Sequence, residues 1–178
     1  SGRRRPDGTS LATGAVRSTS NSLDGAKVWP AFELAEHTGK GIFVLALTSN
    51  PEGASIQHAI GPDGVPVATS IARAAAELNA GARPMGFVGL VVGATIGEAV
   101  RELEIDLLAV NGPLLAPGVG AQGAGPVELA AVFGDARPRV LVNQSRGIAA
   151  AGPIVEKLRG AIHAASGAAT FALADAHE

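Results

Sequence analysis

From Pro30 onward, continuous apolar runs alternate with amphipathic stretches. PAFELAEHTG (30–39) has the spacing of a short helix, with Pro near its start and Gly39 after its end. GIFVLALTSN (41–50) is apolar throughout until it turns polar at its close, the pattern of a strand buried on both faces. VATSIARAAAELN (67–79) returns to helical spacing with Ala-rich filling. GFVGLVVGAT (86–95) predicts a second buried strand, and GEAVREL (97–103) the helix after it. A third unit runs from PLLAPGVGAQG (113–123) into PVELAAVF (126–133). A fourth runs from RVLVNQSRG (139–147) into a final helix from Pro153 to about Ala165 or beyond. Four strand–loop–helix units at the roughly 30-residue spacing of βαβ structure predict an α/β fold with a parallel sheet. The units share no sequence identity, so the repeat is architectural.

Residues 1–28 show no such period. They are rich in Ser, Thr, Gly and Arg, with few large apolar side chains, and bury too little to offset their ordering entropy. They are expected to form an irregular tail, with one domain over 29–178. Residues 1–20 hold four Arg and one Asp, a charge of +3, which leaves −5 of the total −2 for the rest. A basic arm for nucleic acid would interleave aromatics with those arginines, and none is present there.

Composition narrows the chemistry. Aromatics are 3 % of the 178 residues, so the core must be Ala, Val, Leu and Ile, which suits helices on parallel strands. With no Cys, disulfides, thiolate catalysis and cysteine-held metals are excluded. The four His have no spaced partners with metal-ligand geometry. The near-neutral charge gives no reason to expect nucleic acid or an acidic membrane. No apolar run approaches the roughly 20 residues of a membrane span, and no secretory leader is visible, so a cytoplasmic protein is expected.

The polar and glycine residues gather just after each predicted strand: Thr48-Ser49-Asn50, Gly93-Ala94-Thr95, Pro117 through Gly123, and Asn143 through Gly147. Parallel α/β folds build their sites at the carboxyl ends of strands, so these loops should converge on one face. Gly118, Gly120 and Gly123 would let backbone amides approach an anion. Arg146 offers the two parallel N–H bonds that match a phosphate. From the residues alone, the last two loops serve equally well as tight turns or as a phosphate site, while Gly93 reads first as a turn glycine.

APGVGAQGAG (116–125) followed by VLVNQSRGIAAAG (140–152) resembles the end of orotidine 5'-phosphate decarboxylase in its longer bacterial form. GIFVLALTSNPEG (41–53) and GFVGLVVGAT (86–95) resemble the strands that precede it, in the same order. The resemblance covers about residues 30–165. It implies the C-terminal half of a (β/α)8 TIM barrel, about four parallel βα units, and an enzyme that converts orotidine 5'-phosphate to UMP and CO2 without metal or organic cofactor. Carried over by motif, Arg146 would grip the substrate phosphate beside the Gly147 amide. Gln122 would reach the phosphate and base from a closing loop, Ser49 would hydrogen-bond the pyrimidine amide, and Pro117 would line the pocket at the scissile carboxylate.

The family's Asp-x-Lys-x-x-Asp motif, source of the proton donor, does not occur in the sequence; Asp24-Gly25-Ala26-Lys27 has the wrong spacing. The chain alone is therefore expected to be inactive, and to work as a homodimer or in association with an N-terminal half encoded upstream. Two other readings are a non-catalytic nucleotide-binding half-barrel and another phosphate-handling barrel. Ser49 favours a pyrimidine nucleotide over a plain sugar phosphate.

Overall fold

In the computed structural model, which describes residues 15–16, 29–119 and 124–174, the apolar runs become strands and the amphipathic stretches helices. Strand β1 (Ala15–Val16) is followed by α1 (Trp29–His37), β2 (Ile42–Leu47), α2 (Pro51–Gln57) and α3 (Val67–Leu78). Then come β3 (Val88–Val92), α4 (Gly97–Glu102), β4 (Leu114–Pro117) and α5 (Pro126–Phe133). A 3-10 turn (Gly134–Arg139) leads to β5 (Val140–Asn143), α6 (Arg146–Ala149) and α7 (Val155–Leu173). The four expected units are present. The sequence pattern does not reveal α2, α6 or the 3-10 turn, all short.

The strands form one parallel sheet in chain order, β1-β2-β3-β4-β5. The two-residue β1 lies in the stretch expected to be irregular. It pairs Ala15 with Phe43 and Val16 with Val44, using the free edge that β2 offers to any extended segment.

Alternation divides each strand between two faces. Ile42, Ala46, Val88, Leu90, Val92, Leu114, Ala116 and Val140 face the helices and are buried. On the opposite face, pairing aligns Leu45 with Val91, Val91 with Leu115 and Leu115 with Leu141, one apolar row across four strands. That row is open at both ends, with Leu45 43 % and Leu141 51 % exposed. Beside it, the Phe43 ring lies over Gly89, where a Cβ would come within 2.6 Å of the ring and 2.5 Å of the Pro113 carbonyl oxygen. Only glycine fits there.

The amino end of the sheet is held by Asn79, which is fully buried at the end of α3. Its Nδ2 donates to the carbonyls of Val88 (2.7 Å) and Val110 (2.8 Å), and its Oδ1 accepts from Val88 N–H (3.1 Å). Gly86 and Gly112 flank it closely enough that a Cβ at either would overlap the Asn79 side chain. Asn111, in the left-handed region at φ 49°, donates through Nδ2 to the carbonyls of Asn79 and Ala82. Thr69 adds a buried bond from Oγ1 to the Leu103 carbonyl.

Helix α5 starts at Gly125, whose N–H donates to the Glu128 carboxylate at 2.8 Å. That bond holds the carboxyl below its ordinary value of 4.5. Stability from it is therefore complete above 4.5 and is lost as pH falls through the lower folded-state value.

Two outcomes follow from these contacts. Asn79→Leu should lower stability by about 3–5 kcal/mol in urea unfolding, because it strands three buried backbone groups. A loss no greater than that of Asn111→Ala would remove Asn79 as the anchor. Glu128→Ala should lose less stability below pH 4.5 than at neutral pH, as read from urea midpoints at the two conditions.

Candidate functional site

The described parts of the four loops lie together at the carboxyl end of the sheet, and strand register shows how. Gly93 N–H donates to the Leu47 carbonyl at 2.9 Å, and Ala94 N–H to the Pro117 carbonyl at 3.0 Å. The end of β3 thus ties the loop after β2 to the loop after β4. A Cβ at Gly93 would lie 3.4 Å from the Ser49 backbone nitrogen, so the two segments are in direct contact. Pro117 pairs in register with Asn143, three residues before Arg146. Ser49, Pro117 and Arg146 therefore sit at or just beyond the carboxyl ends of β2, β4 and β5, on one edge of the sheet.

The first loop is ordered by a residue that sequence reasoning passes over. Gln57 closes α2 and is buried. Its Oε1 accepts Thr48 N–H at 3.0 Å, and its Nε2 donates to Thr48 Oγ1 at 2.9 Å. Thr48 Oγ1 in turn donates to Asn50 Oδ1. Ser49 lies between these two held residues, exposed, and its side chain has no partner among the described residues. Asn50-Pro51-Glu52, with Pro in the first turn and an acid beside it, is the signal that could have placed α2.

Pro117 ends β4 half-buried, and Gly118 follows at φ 97°, a conformation that favours glycine. Val119 and Ala124, both buried, form a parallel bridge that fixes the two ends of the next loop. Gln122 lies between them, outside the described residues.

Arg146 opens α6, exposed to solvent, and its side chain has no hydrogen-bond or ion-pair partner among the described residues. Among the described residues, no atom lies within 4 Å of where a Gly147 Cβ would stand, and its φ is not positive. No contact among the described residues requires glycine there. Ser145 Oγ donates to Asn143 Oδ1 at 3.4 Å, linking the strand end to the start of α6.

The histidines stand apart from this edge in role. His37 bonds the Glu33 carbonyl within α1, His58 caps α2, and His163 lies exposed on α7. Among the described residues, no three His, Cys, Asp or Glu side chains cluster as metal ligands, and no helix is long and apolar enough to cross a membrane. The described residues offer an exposed guanidinium, a half-buried apolar ring and an exposed hydroxyl, groups that can meet an anionic ligand with a polar ring.

The chain is 59 % identical over 132 residues to the orotidine 5'-phosphate decarboxylase of Salinispora tropica, spanning 74 % of this chain and 46 % of that one. It is 55 % identical over 131 residues to the orotidine 5'-phosphate decarboxylase of Streptomyces coelicolor, spanning 73 % and 45 %. A crystal structure from Streptomyces avermitilis, assigned to the same enzyme, superposes with a TM-score of 0.76 at 49 % identity. It covers 83 % of this chain and 50 % of its own, so the open sheet corresponds to half of a (β/α)8 barrel. The chain spans about half the length of the curated relatives it matches. Residues 19–161 match the orotidine 5'-phosphate decarboxylase / HUMPS family, and the chain belongs to it.

Proposed function

We propose that this chain supplies the phosphate- and pyrimidine-binding half of an orotidine 5'-phosphate decarboxylase, a cytoplasmic enzyme that forms UMP and CO2. The observation that carries this reading is the Arg146 side chain, unpartnered among the described residues, at the same sheet edge as Ser49 and Pro117. In this reading Arg146 binds the substrate phosphate by two parallel charge-assisted bonds, and the bare Gly147 backbone lets that phosphate approach. Ser49 bonds the pyrimidine amide, Pro117 lines the apolar wall at the departing carboxylate, and Gln122 closes over phosphate and base.

The chemistry explains why a phosphate site matters to a reaction at the ring. Breaking the C6–carboxylate bond leaves its electron pair on C6, where the ring delocalises it poorly. Binding energy gathered at the remote phosphate holds the closed, preorganised site that lowers this barrier. The C6 carbanion must then take a proton. In the family that proton comes from the Lys of Asp-x-Lys-x-x-Asp, a motif missing from these 178 residues.

The donor must then come from elsewhere, and the fold offers a place for it. The row Leu45–Val91–Leu115–Leu141 has the position of barrel-interior side chains, and its exposed ends would be covered by four further βα units. We take residues 29–178 as the barrel half, completed by the complementary half, with the whole acting as a homodimer. The missing motif equally favours a second reading, a non-catalytic nucleotide-binding half-barrel. The two differ in whether a complementary half restores turnover.

The purified chain should not decarboxylate orotidine 5'-phosphate, while co-expression with the unmatched part of the Salinispora tropica relative should yield turnover. A soluble complex without turnover would favour the binding module. Arg146→Ala should weaken UMP binding by about 2–4 kcal/mol and leave uridine binding nearly unchanged in calorimetry. Equal losses for both ligands would mean that Arg146 supports the fold and not the phosphate.

A further inference from the structure

Gln57 stands out as a buried carboxamide just beyond the motif that carries Ser49. A carboxamide in that position satisfies two groups of one residue, the N–H and the hydroxyl of Thr48. The polarity of the chain of bonds is determined. The Thr48 amide can only donate, so it must face Oε1, which leaves Nε2 facing Thr48 Oγ1. That hydroxyl accepts from Gln57 and therefore turns its own hydrogen to Asn50 Oδ1. Thr48 and Asn50 are thus fixed on either side of Ser49.

Gly53 belongs to the same device. A Cβ at that position would lie 3.0 Å from both Asn50 Oδ1 and Gln57 Nε2. Glycine inside a helix is disfavoured, and here its lack of a side chain leaves room for the network. A leucine would fill the Gln57 site without it. The network serves the turn, and the turn carries one exposed, unpartnered hydroxyl.

We infer that Gln57 is a positioning residue for pyrimidine recognition, holding the Thr48-Ser49-Asn50 turn so that Ser49 meets the base. This rests on the functional reading above, and it predicts a loss confined to ligands that carry the ring. Binding of UMP and of ribose 5-phosphate to the full chain, or to the reconstituted complex, should be compared for Gln57→Leu, Ser49→Ala and the double variant. Gln57→Leu should weaken UMP about tenfold, as Ser49→Ala does, with the double variant no worse than either single one. Ribose 5-phosphate should bind within about twofold of the parent, since no hydrogen bond to it is lost.

Equal weakening of both ligands would show a purely structural role and overturn the inference. So would a UMP affinity that responds to Ser49→Ala and not to Gln57→Leu. UMP binding indifferent to Ser49→Ala would instead remove the reading on which the inference rests. If Gln57→Leu does not fold, Gln57→Glu gives the same comparison, because it keeps the acceptor for Thr48 N–H and loses the donor to Oγ1. Amide hydrogen exchange closes the test: Thr48 N–H should exchange faster in Gln57→Leu while Leu90 N–H does not. Unchanged protection at Thr48 would overturn the clamp itself.

Discussion

One buried carboxamide holds the frame on which everything else is placed. Asn79 ends α3 and bonds both the N–H and C=O of Val88, the first residue of β3, together with the Val110 carbonyl ahead of β4. The central strand is thereby set in height and rotation against the helix that covers it. Its neighbours inherit that setting through the ladder: Ile42 opposite Val88 on one side, Leu114 opposite Leu90 on the other. The glycines at 86 and 112 make the approach possible, and their missing side chains are part of the anchor.

The opposite end of the sheet repeats the device on a smaller scale. Gln57 does for the Thr48 turn what Asn79 does for the start of β3, each using one amide to satisfy a backbone N–H and a nearby acceptor. The difference lies in what surrounds them. Asn79 is sealed among apolar residues, whereas Thr48 is half-buried and Ser49 beside it is exposed. Rigid framework at the amino edge and ordered but accessible loops at the carboxyl edge are the usual division of labour in parallel α/β folds.

Much of this was legible from the residues. The runs 41–50, 86–95 and 139–147 each contain an observed strand, because a strand covered on the helix side must be apolar there whatever else it does. PVELAAVF coincides with α5, marked by Pro at its first turn and Glu128 three residues after its cap. The convergence of Ser49, Pro117 and Arg146 on one edge was legible too, since it follows from parallel topology. The clamps were not. Asn79 and Gln57 are each a lone polar residue at a helix end, and their partners lie 9 to 31 residues away in sequence. Such pairings depend on where backbones pass one another, which no local pattern encodes. The short helices α2 and α6 likewise lack the length for a periodic signal.

The order of the strands has a consequence for how the chain can be divided. Because each strand lies beside its immediate predecessor, no strand is inserted between two earlier ones. A cut in any connecting loop therefore separates the sheet into two contiguous blocks and threads nothing through anything. A sheet of this order can be divided between two polypeptides with no pairing rearranged, each block then presenting one unpaired edge to the other. Interleaved sheets lack that property, because a cut there leaves strands of one block lying between strands of the other.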